Sequence, residues 1–581
     1  MHRDDDQAFV VLGRAAGGIS AAVLDIDGAE RERLTLAEAD LGEWVRTFER
    51  AHSPRWVWND TPRWYAALLG SGVRVSRCHD LRLSHAILRD SALTPGFVAH
   101  SDASAGSPTD WDCPPFTGED APAPALFDLD GAAAAAGPPI GTDECLDEFR
   151  RQRDAVSRSA DSGRLRLLIA AEAAGALIAV ELQAAGLPWD VREHRRILDE
   201  VLGERPASGG APRRMEDAAR RVREALGDPT VNLDSQQKLL RSLHRAGILV
   251  TSTSRWELAE YRHPAIEPLL EYKKLSRLLT ANGWAWLTEW VRDGRFRPTY
   301  VPAGVVTGRW ASAGGGALQI PRQLRTAVRA DPGWRLVVAD VAQLEPRVLA
   351  AMSGDAALAD AARGADLYAG IVAAGAVPSR AEAKVAMLGA MYGATTGASG
   401  LLVPRLRRTF PRAMALVDDA ARTGEQGGVV STWLGRTSPP PSARWRDAQS
   451  RAGDAEASGA DESRARRWAR DRGRFTRNFV VQGTAAEWAS AWLADLRGRL
   501  AALPAVASAR TAPRSGPVFA DRAHLAFFLH DEVMVHTPQE HADEVAEAVQ
   551  QAAAAAGRLL FGGFPIDFPL EVRVSADAGK D

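Results

Sequence analysis

The sequence predicts an α/β multidomain chain, and three observations lead there. Its 581 residues exceed the roughly 250–300 that one hydrophobic core organises. Short β-prone apolar runs alternate with helix-period segments near both ends, which suits sheets covered by helices. A long stretch between them carries helical periodicity alone. Hydrophobic residues make up 46% and charged residues 25%, values that place the chain among globular proteins rather than disordered ones. The net charge of -3 gives no global field toward a polyanion, so any nucleic-acid site must come from a local patch. The three cysteines, Cys78, Cys113 and Cys145, form no CxxC pair. That argues for a reducing compartment and against a disulfide framework or zinc ribbon. The first residues, MHRDDDQAFVV, lack a signal-peptide pattern, and no 18-residue apolar run is present. A cytoplasmic, monomeric protein without a membrane span is expected.

Residues 8–90 read as a small mixed sheet. FVVLGRA, ISAAVLDI, RWVWN and VRVSRC are its strand-like pieces, and LGEWVRTFER, PRWYAALLGSG and LRLSHAILRD its helices. Residues 102–144 are rich in Pro, Gly, Ala, Ser and Asp and read as a linker. From 145 to 300 the chain is helical. RLRLLIAAEAAGALIAVELQAAG is one long helix. LDSQQKLLRSLHRAG opens on Asp234-Ser235 as a capping signal and stops at Gly247, and HPAIEPLLEYKKLSRLLTANGWAWLTEWV forms a helical pair.

The chemistry concentrates after residue 300. Arg309 follows a Thr-Gly turn, ahead of a glycine-rich stretch. In RLVVADVAQLEPRVLAAMSG, an apolar strand ends at Asp340 and Pro346 is placed at the first helical position, with Glu345 biased toward the turn. On this stretch alone, Asp340 reads as a helix-capping or turn aspartate rather than a metal ligand. SRAEAKVAMLGAMYG predicts a helix capped by Ser379, with Arg380, Lys384, Leu388 and Tyr392 four residues apart on one face. Lysine occurs only at 238, 273, 274, 384 and 580, so Lys384 is a rare choice. Two cations and a ring on one face suit a nucleoside triphosphate; a solvated amphipathic face is the plain alternative. Residues 435–463 read as a mobile insert. Seven arginines follow within 464–477 with few acidic partners, which suits phosphate, and Arg474, Asn478 and Gln482 share a helix face. Residues 504–520 read as a loose loop. HLAFFLHDEVMVHTP reads as a hairpin with Asp531-Glu532 at its tip.

Together these pieces have one chemical reading. Asp340 and Asp531 at adjoining strand ends repel unless divalent cations lie between them, and two carboxylate-bridged magnesium ions suit in-line phosphoryl transfer. Arg380 and Lys384 neutralise phosphate charge, and Lys384 can protonate the leaving group.

TGRW…LQIP, DVAQLEPR, RAEAKVAMLGAMYG, NFVVQGTAAE and HDE, in this order and spacing, resemble the polymerase motifs of family A DNA polymerases, the bacterial DNA polymerase I type. The resemblance is strong from about 300 to 575 and extends through the helical region from 150. It implies a right-hand polymerase: thumb and start of palm about 150–300, palm about 300–360 and 480–581, fingers about 361–480, the whole polymerase domain covering 145–581. It implies primer-template DNA and dNTPs as partners, and two Mg2+ ions (Mn2+ as the alternative) as cofactors. Asp340, Asp531 and the backbone carbonyl of Val341 are then the expected metal ligands, with Glu532 beside them and Lys384 as a further catalytic group. Gln343, Glu345, Arg380, Lys384, Leu388 and Tyr392 are expected at the nucleotide, Glu345 as the gate against a ribose 2′-hydroxyl. Arg309, Gln319, Arg474, Asn478, Gln482 and His530 are expected on DNA. Donors such as Arg309 and Gln482 can check pair geometry in the minor groove, because its N3 and O2 acceptors are shared by all correct pairs.

Some positions depart from the family. Leu388 stands where Phe or Tyr is usual, Tyr368 where His is common, the Asn of the LQ motif is absent near Ala317, and Pro346 is unusual. Residues 1–101 resemble a proofreading RNase H-like exonuclease domain with its carboxylates missing: Leu12 and Arg14 occupy the first pair and Arg63 follows Asn59. Asp25 and Asp27 read as a turn or edge pair. A degenerate, non-proofreading domain is expected, with no 5′-nuclease domain and a nucleoid-associated location. Two rivals remain, a single-subunit RNA polymerase-like enzyme and a catalytically dead DNA-binding scaffold. Glu345, Glu532 and the retained aspartates weigh against them.

Overall fold

The computed structural model describes residues 8–97, 111–114, 137–206, 209–313, 319–393, 397–454 and 457–579. The chain divides into two compact units. The first comprises 1–186, 299–314 and 332–575, the second 187–298, 315–331 and 576–581.

The first unit begins with a five-stranded sheet. Its strands are β1 (Phe9–Ala15), β2 (Gly18–Leu24), β3 (Glu30–Leu36), β4 (Arg55–Trp58) and β5 (Arg77–Asp80), in the order β3-β2-β1-β4-β5. The first three run antiparallel, and β4 and β5 add in parallel. Helices α1 (Leu41–His52), α2 (Thr61–Gly70) and α3 (Leu81–Asp90) connect them. The strand expected at VRVSRC forms four residues later in its span, at 77–80. Strand β3, ERERLTL, was not anticipated. Its charges lie exposed, as an edge strand that must not recruit another chain requires. Most of the 102–144 segment lies outside the described residues, but Trp111 is buried among Val11, Leu146 and Phe149. Helix α4 (Thr142–Arg158) starts inside that segment and covers one sheet face. Helix α5 (Ser162–Ala185) covers the other and is buried almost all round.

The second unit holds β6 (Leu187–Pro188), α6 (Val191–Leu202), α7 (Arg213–Leu226), α8 (Gln236–Arg245), α9 (Arg255–Leu258), α10 (Ile266–Asn282), α11 (Trp284–Trp290), β7 (Val291–Arg292) and β8 (Arg295–Phe296). Ser235 is the N-cap of α8, as expected, though its side chain makes no capping hydrogen bond.

The first unit resumes with β9 (Thr299–Val301) and β10 (Ala311–Ala313), then β11 (Trp334–Val341), α12 (Leu344–Ser353), α13 (Ala356–Ala361), α14 (Leu367–Ala373) and α15 (Arg380–Tyr392). There follow α16 (Gly397–Thr409), α17 (Pro411–Glu425), α18 (Ala443–Ala452), the 44-residue α19 (Gly459–Ala502) and α20 (Gly516–Phe519). Strands β12 (His524–Leu529) and β13 (Glu532–Pro538), helix α21 (Ala542–Phe561) and β14 (Leu570–Ser575) complete it. Strands β12-β13-β11-β14 form one antiparallel sheet.

Several expectations are corrected. Helix α12 begins at Leu344, so Pro346 is its third residue and Glu345 its second, inside the helix rather than in the turn. Proline is tolerated there because the first turn's N–H groups lack intrahelical acceptors. The turn is closed instead by Gln343 at φ 49. Residues 435–463 contain α18, and 504–520 contain α20 fastened by Val506 N–H to Asp521 O (2.7 Å) and Ala512 N–H to Ala520 O (2.7 Å). The arginine run does find partners: Arg466 pairs with Glu462 and Arg464 with Asp461, Arg474 with Asp471, and Arg477 with Asp418 at 2.5 Å. Arg472 donates to the carbonyls of Gly428 and Pro439. Hard-to-see partners came from α17 and from backbone, both distant in sequence. No helix among the described residues is long and apolar enough to cross a membrane.

Candidate functional site

The site forms where two strand ends meet two helices. Strand β11 is almost wholly buried up to Ala339, because Leu336, Val337 and Val338 pack into the sheet. Its neighbours β13 and β14 run antiparallel to it on either side. The strand therefore delivers Asp340, half-buried, to one fixed end. Asp340 lies opposite Glu532 in the β11–β13 register. The hairpin between β12 and β13 turns on His530 and Asp531, not on Asp531-Glu532; Glu532 is the first residue of β13 and buried. His530 has φ 55, a left-handed conformation that closes the two-residue turn. Asp531 is then locked against β11, since its carbonyl accepts the Val341 N–H at 2.9 Å.

Burial, then the neighbouring Asp340, pushes the Asp531 carboxyl up to about 6. Two carboxylates that cannot both ionise comfortably are the electrostatic mark of a cation site. Among the described residues no group of three or more His, Cys, Asp or Glu side chains is arranged to hold a metal. The candidate donors here are the Asp340 and Asp531 carboxylates with nearby backbone carbonyls. Magnesium suits such a set, because it is commonly held by one or two carboxylates together with substrate phosphates and water.

A cavity of about 350 Å³ opens beside the pair, walled in part by Arg309, Glu345, Leu388, Tyr392, Gln482 and Asp531. Gln343 and His530 also line it. Ser379 caps α15 by accepting the Glu382 N–H, and Gly393 ends it at φ 70, so the helix has the limits expected from sequence. Tyr392 Oη donates to Glu345 Oε2 at 2.8 Å. Burial, then the Glu345 charge, pushes the Tyr392 hydroxyl up to about 12. Arg380 and Lys384 occupy the same helix face beyond Leu388, exposed and outside the cavity wall. Leu388 is half-buried and adds no ring to the wall.

Helix α19 supplies Gln482, which is buried and faces the cavity. A Cβ at the next residue, Gly483, would stand 2.3 Å from Thr432 Cγ2 and 3.1 Å from the Thr307 carbonyl. Glycine there lets α19 touch the turn that carries Arg309. That turn is closed by Gly308 at φ 85 and by the Gly308 N–H to Val305 O bond of 2.7 Å. Partial desolvation and nearby Arg309 hold His530 below the ordinary histidine range. Asn478 Oδ1 is buried without a hydrogen-bond partner among the described residues. Arg474 is exposed and paired with Asp471. Gln319 belongs to the second unit, where Arg277 donates to its side chain at 3.2 Å. Ala317 lies outside the described residues.

Sequence reasoning missed two contributors. Arg347 on α12 is fully buried and donates to the carbonyls of Ala342, Ala362, Gly364 and Asp567 at 2.5–3.1 Å. Asp366, just before α14, receives Arg380 Nε at 2.6 Å. The arginine after Pro346 and the capping aspartate were visible in the sequence, but nothing local marks what they touch.

In the N-terminal sheet, Leu12 is fully buried and Arg14 is exposed and paired with Glu38. Asn59 accepts from Trp64 Nε1 at 2.9 Å. Asp25 Oδ1 accepts the N–H groups of Asp27 and Ala29, a turn aspartate.

A family model described as DNA polymerase family A matches residues 207–580. The chain is 28% identical over 448 residues to the thermostable DNA polymerase I of Thermus filiformis, covering 68% of this chain and 48% of that protein. DNA polymerase I of Chloroflexus aurantiacus is 28% identical over 405 residues, 62% and 38% of the two chains. The chain spans about half the length of such curated relatives or less. A solved structure, the POL domain of Pol1 from M. smegmatis in complex with DNA primer-template and dNTP, shares the fold with a TM-score of 0.63 at 18% identity, over 99% of this chain and 95% of that one.

Proposed function

The chain belongs to DNA polymerase family A, and from that premise we propose that it extends a DNA primer at its 3′ end with deoxynucleoside triphosphates copied from a template strand. One observation carries the reading: Asp340 and Asp531 stand at adjoining strand ends beside a cavity whose other wall is the α15 face bearing Leu388 and Tyr392.

The two aspartates, with the Val341 carbonyl, are the groups that would hold two magnesium ions, and Glu532 adds negative charge beside them. Bound there, the ions would supply charge neutralisation to the attacking hydroxyl and the departing pyrophosphate. Everything else is done by side chains. Arg380 and Lys384 take the triphosphate, and Lys384 donates the proton that the leaving group needs. Glu345, held by Tyr392, fills the space that a ribose 2′-hydroxyl would enter. Gln343 packs against the nucleotide, and Leu388 leaves the sugar without ring contact. Tyr392 stands next to the templating position. Arg309 and Gln482 donate to the minor groove at the primer end, with His530, Asn478, Arg474 and Gln319 on the surrounding DNA.

The N-terminal sheet order β3-β2-β1-β4-β5, with three antiparallel and two parallel strands, supports an RNase H-like domain. Its first strand offers Leu12 and Arg14 rather than carboxylates. We take it to be non-proofreading, since two-metal hydrolysis needs ligands it lacks. Primer extension by wild type and Asp531→Ala, with dNTPs against rNTPs, tests the whole reading. Extension with dNTPs alone, lost in the variant, is expected. Preferential use of rNTPs would favour the RNA polymerase alternative, and no extension with magnesium or manganese would leave a DNA-binding scaffold. Degradation of a 3′ end by purified protein, abolished at Asp25 or Asp27 but not at Asp340, would overturn the non-proofreading assignment.

A further inference from the structure

Of the two cations on the α15 face, one is already engaged. Lys384 is exposed and makes no ion pair among the described residues. Arg380 Nε donates to Asp366 Oδ2 at 2.6 Å, and its guanidinium lies 5.7 Å from the centre of the Tyr368 ring. The other oxygen of Asp366 is equally occupied. Oδ1 accepts the N–H groups of Tyr368 (3.1 Å) and Ala369 (3.4 Å) and so caps α14. One carboxylate thus performs two tasks with two different oxygens.

What anchors Asp366 gives the contact its meaning. The next residue, Leu367, donates its N–H to Gln343 Oε1 at 3.1 Å. Two residues before it, Gly364 accepts from Arg347 Nη2 at 2.9 Å. Both Gln343 and Arg347 flank the turn after Asp340. Asp366 is therefore tied to the catalytic turn, whereas Arg380 sits at the start of a separate helix with its side chain 58% exposed. Burial opposes ionisation of Asp366, but the Arg380 hydrogen bond and the capped backbone outweigh it and hold the carboxyl below its ordinary range.

We propose that Asp366 is a specificity-determining residue that competes with the nucleotide's phosphates for the Arg380 guanidinium, so that a triphosphate must displace a carboxylate in order to engage that cation. This rests on the polymerase reading above. The guanidinium fork matches a carboxylate and a phosphate with the same geometry, so the two anions contend for one set of donors. Asp366 also repels any anion approaching Arg380. A triphosphate, with one more phosphate to engage Lys384 on the same helix face at the same time, offsets that repulsion better than a diphosphate. The competition favours triphosphates over diphosphates and keeps free phosphate and pyrophosphate away from the α15 face. The Tyr368 ring gives the released guanidinium a second support beside the cavity, since Tyr368 lines it.

Asp366→Asn separates the two tasks, because an asparagine Oδ1 still caps a helix while the charge is gone. Single-nucleotide incorporation by wild type and variant, at low and high salt, gives KM for dNTP and kcat separately. Inhibition by dNDP and pyrophosphate is measured alongside. The expected result is a KM for dNTP lowered about two- to fivefold, the scale of a solvent-exposed ion pair, with kcat kept, a larger gain in dNDP and pyrophosphate inhibition, and convergence of the two proteins at high salt. A merely structural role moves the other way, raising KM or lowering Tm. An unchanged or raised KM, or equal inhibition of both proteins by dNDP, overturns the proposal. Asp366→Glu, which keeps the charge, should restore the wild-type ligand ranking. If wild type itself incorporates nothing, it is the polymerase reading that has failed; if wild type incorporates and the variant shows no gain, only the competition has.

Discussion

Asp531 is held under two demands that oppose one another. Its position beside Asp340 suits a cation, but burial and the second charge make ionisation costly, which is why the carboxyl is raised to about 6. The sign follows directly. A carboxyl whose folded-state pKa exceeds its unfolded value near 3.8 favours the folded state while protonated, and that advantage is lost as pH rises through about 6. Asp531→Asn should therefore stabilise the metal-free protein at pH 7–8, seen as a raised Tm, by on the order of 1–2 kcal/mol once solvent at this half-buried group is allowed for. The same change should abolish primer extension, since the several kcal/mol a metal centre contributes correspond to roughly a thousandfold in rate. Scanning calorimetry without divalent ions, next to an extension assay, checks both. A destabilised Asp531→Asn protein would refute the electrostatic account. For the wild type, magnesium affinity should climb between pH 5 and 7 with a proton released on binding, visible by titration calorimetry in two buffers of different ionisation heat. At Leu388 the cavity wall lacks a ring, and Leu388→Phe should alter the preference between dideoxy- and deoxynucleotides; an unchanged ratio in competitive incorporation would count against a sugar contact at this position.

Two elements were legible in the sequence and misread in detail at the same kind of place. The strand-turn-helix around Asp340 and the hairpin around Asp531 both follow from apolar runs, and both aspartates lie where those runs end. The turn residues escaped. Gln343 (φ 49) and His530 (φ 55) belong to the five non-glycine residues with positive φ among those described. No local rule assigns glutamine a left-handed backbone, and the enrichment of histidine there is too weak to pick out one position, so the expected helix start was too late and the hairpin tip one residue off. Such conformations persist where surrounding structure over-determines them, often at functional sites, and each of these neighbours a candidate metal ligand. Arg347 is the over-determining group for the first. Burial holds its guanidinium down to about 10, yet its donors are satisfied by four carbonyls that pin α12 to the 362–364 and 567 backbone. Arg347→Met fills much of the volume and donates nothing. With several buried acceptors stranded, the loss should be at least about 3 kcal/mol, and any folded fraction should show a weakened response to magnesium because the turn beside Asp340 loosens. Chemical denaturation with a midpoint unchanged from wild type would sink this role. Patterning could never have revealed it, since the four carbonyls come from three separate segments.

The same limit applies to the first unit as a whole, where the N-terminal sheet and the Asp340 sheet belong to one compact body. Periodicity separates 8–90 from the later motifs, but one buried ion cluster joins them. Glu181 on α5 accepts Tyr65 Oη (2.6 Å) from α2, Arg74 Nε (3.0 Å) from the segment before β5, and Arg497 Nη2 (2.7 Å) from α19. Arg497 also donates to the carbonyls of Val75 and Ser76 at 2.5 and 2.7 Å. Burial opposes the Glu181 charge, but the two guanidinium groups win and hold its carboxyl far below the usual range, while burial raises the Tyr65 hydroxyl beyond reach of titration. A depressed carboxyl contributes stability that is present above its unfolded pKa and lost as pH falls well below it. Apolar packing runs alongside: Ala173, Leu177 and Val180 of α5 share a core with Val10, Trp56 and Leu68. The N-terminal sheet thus packs against the helix that supports α19, and α19 in turn presents Gln482 to the cavity. If so, the N-terminal sheet cannot melt alone. Glu181→Gln leaves Arg497 and Arg74 sharing a buried site with no anion, which should cost about 3–5 kcal/mol. The unfolding transition should move down without splitting, followed jointly by calorimetry and by a fluorophore placed on α19. A separate low-temperature transition confined to residues 8–90, with primer extension intact above it, would show instead that the sheet is an independent appendage.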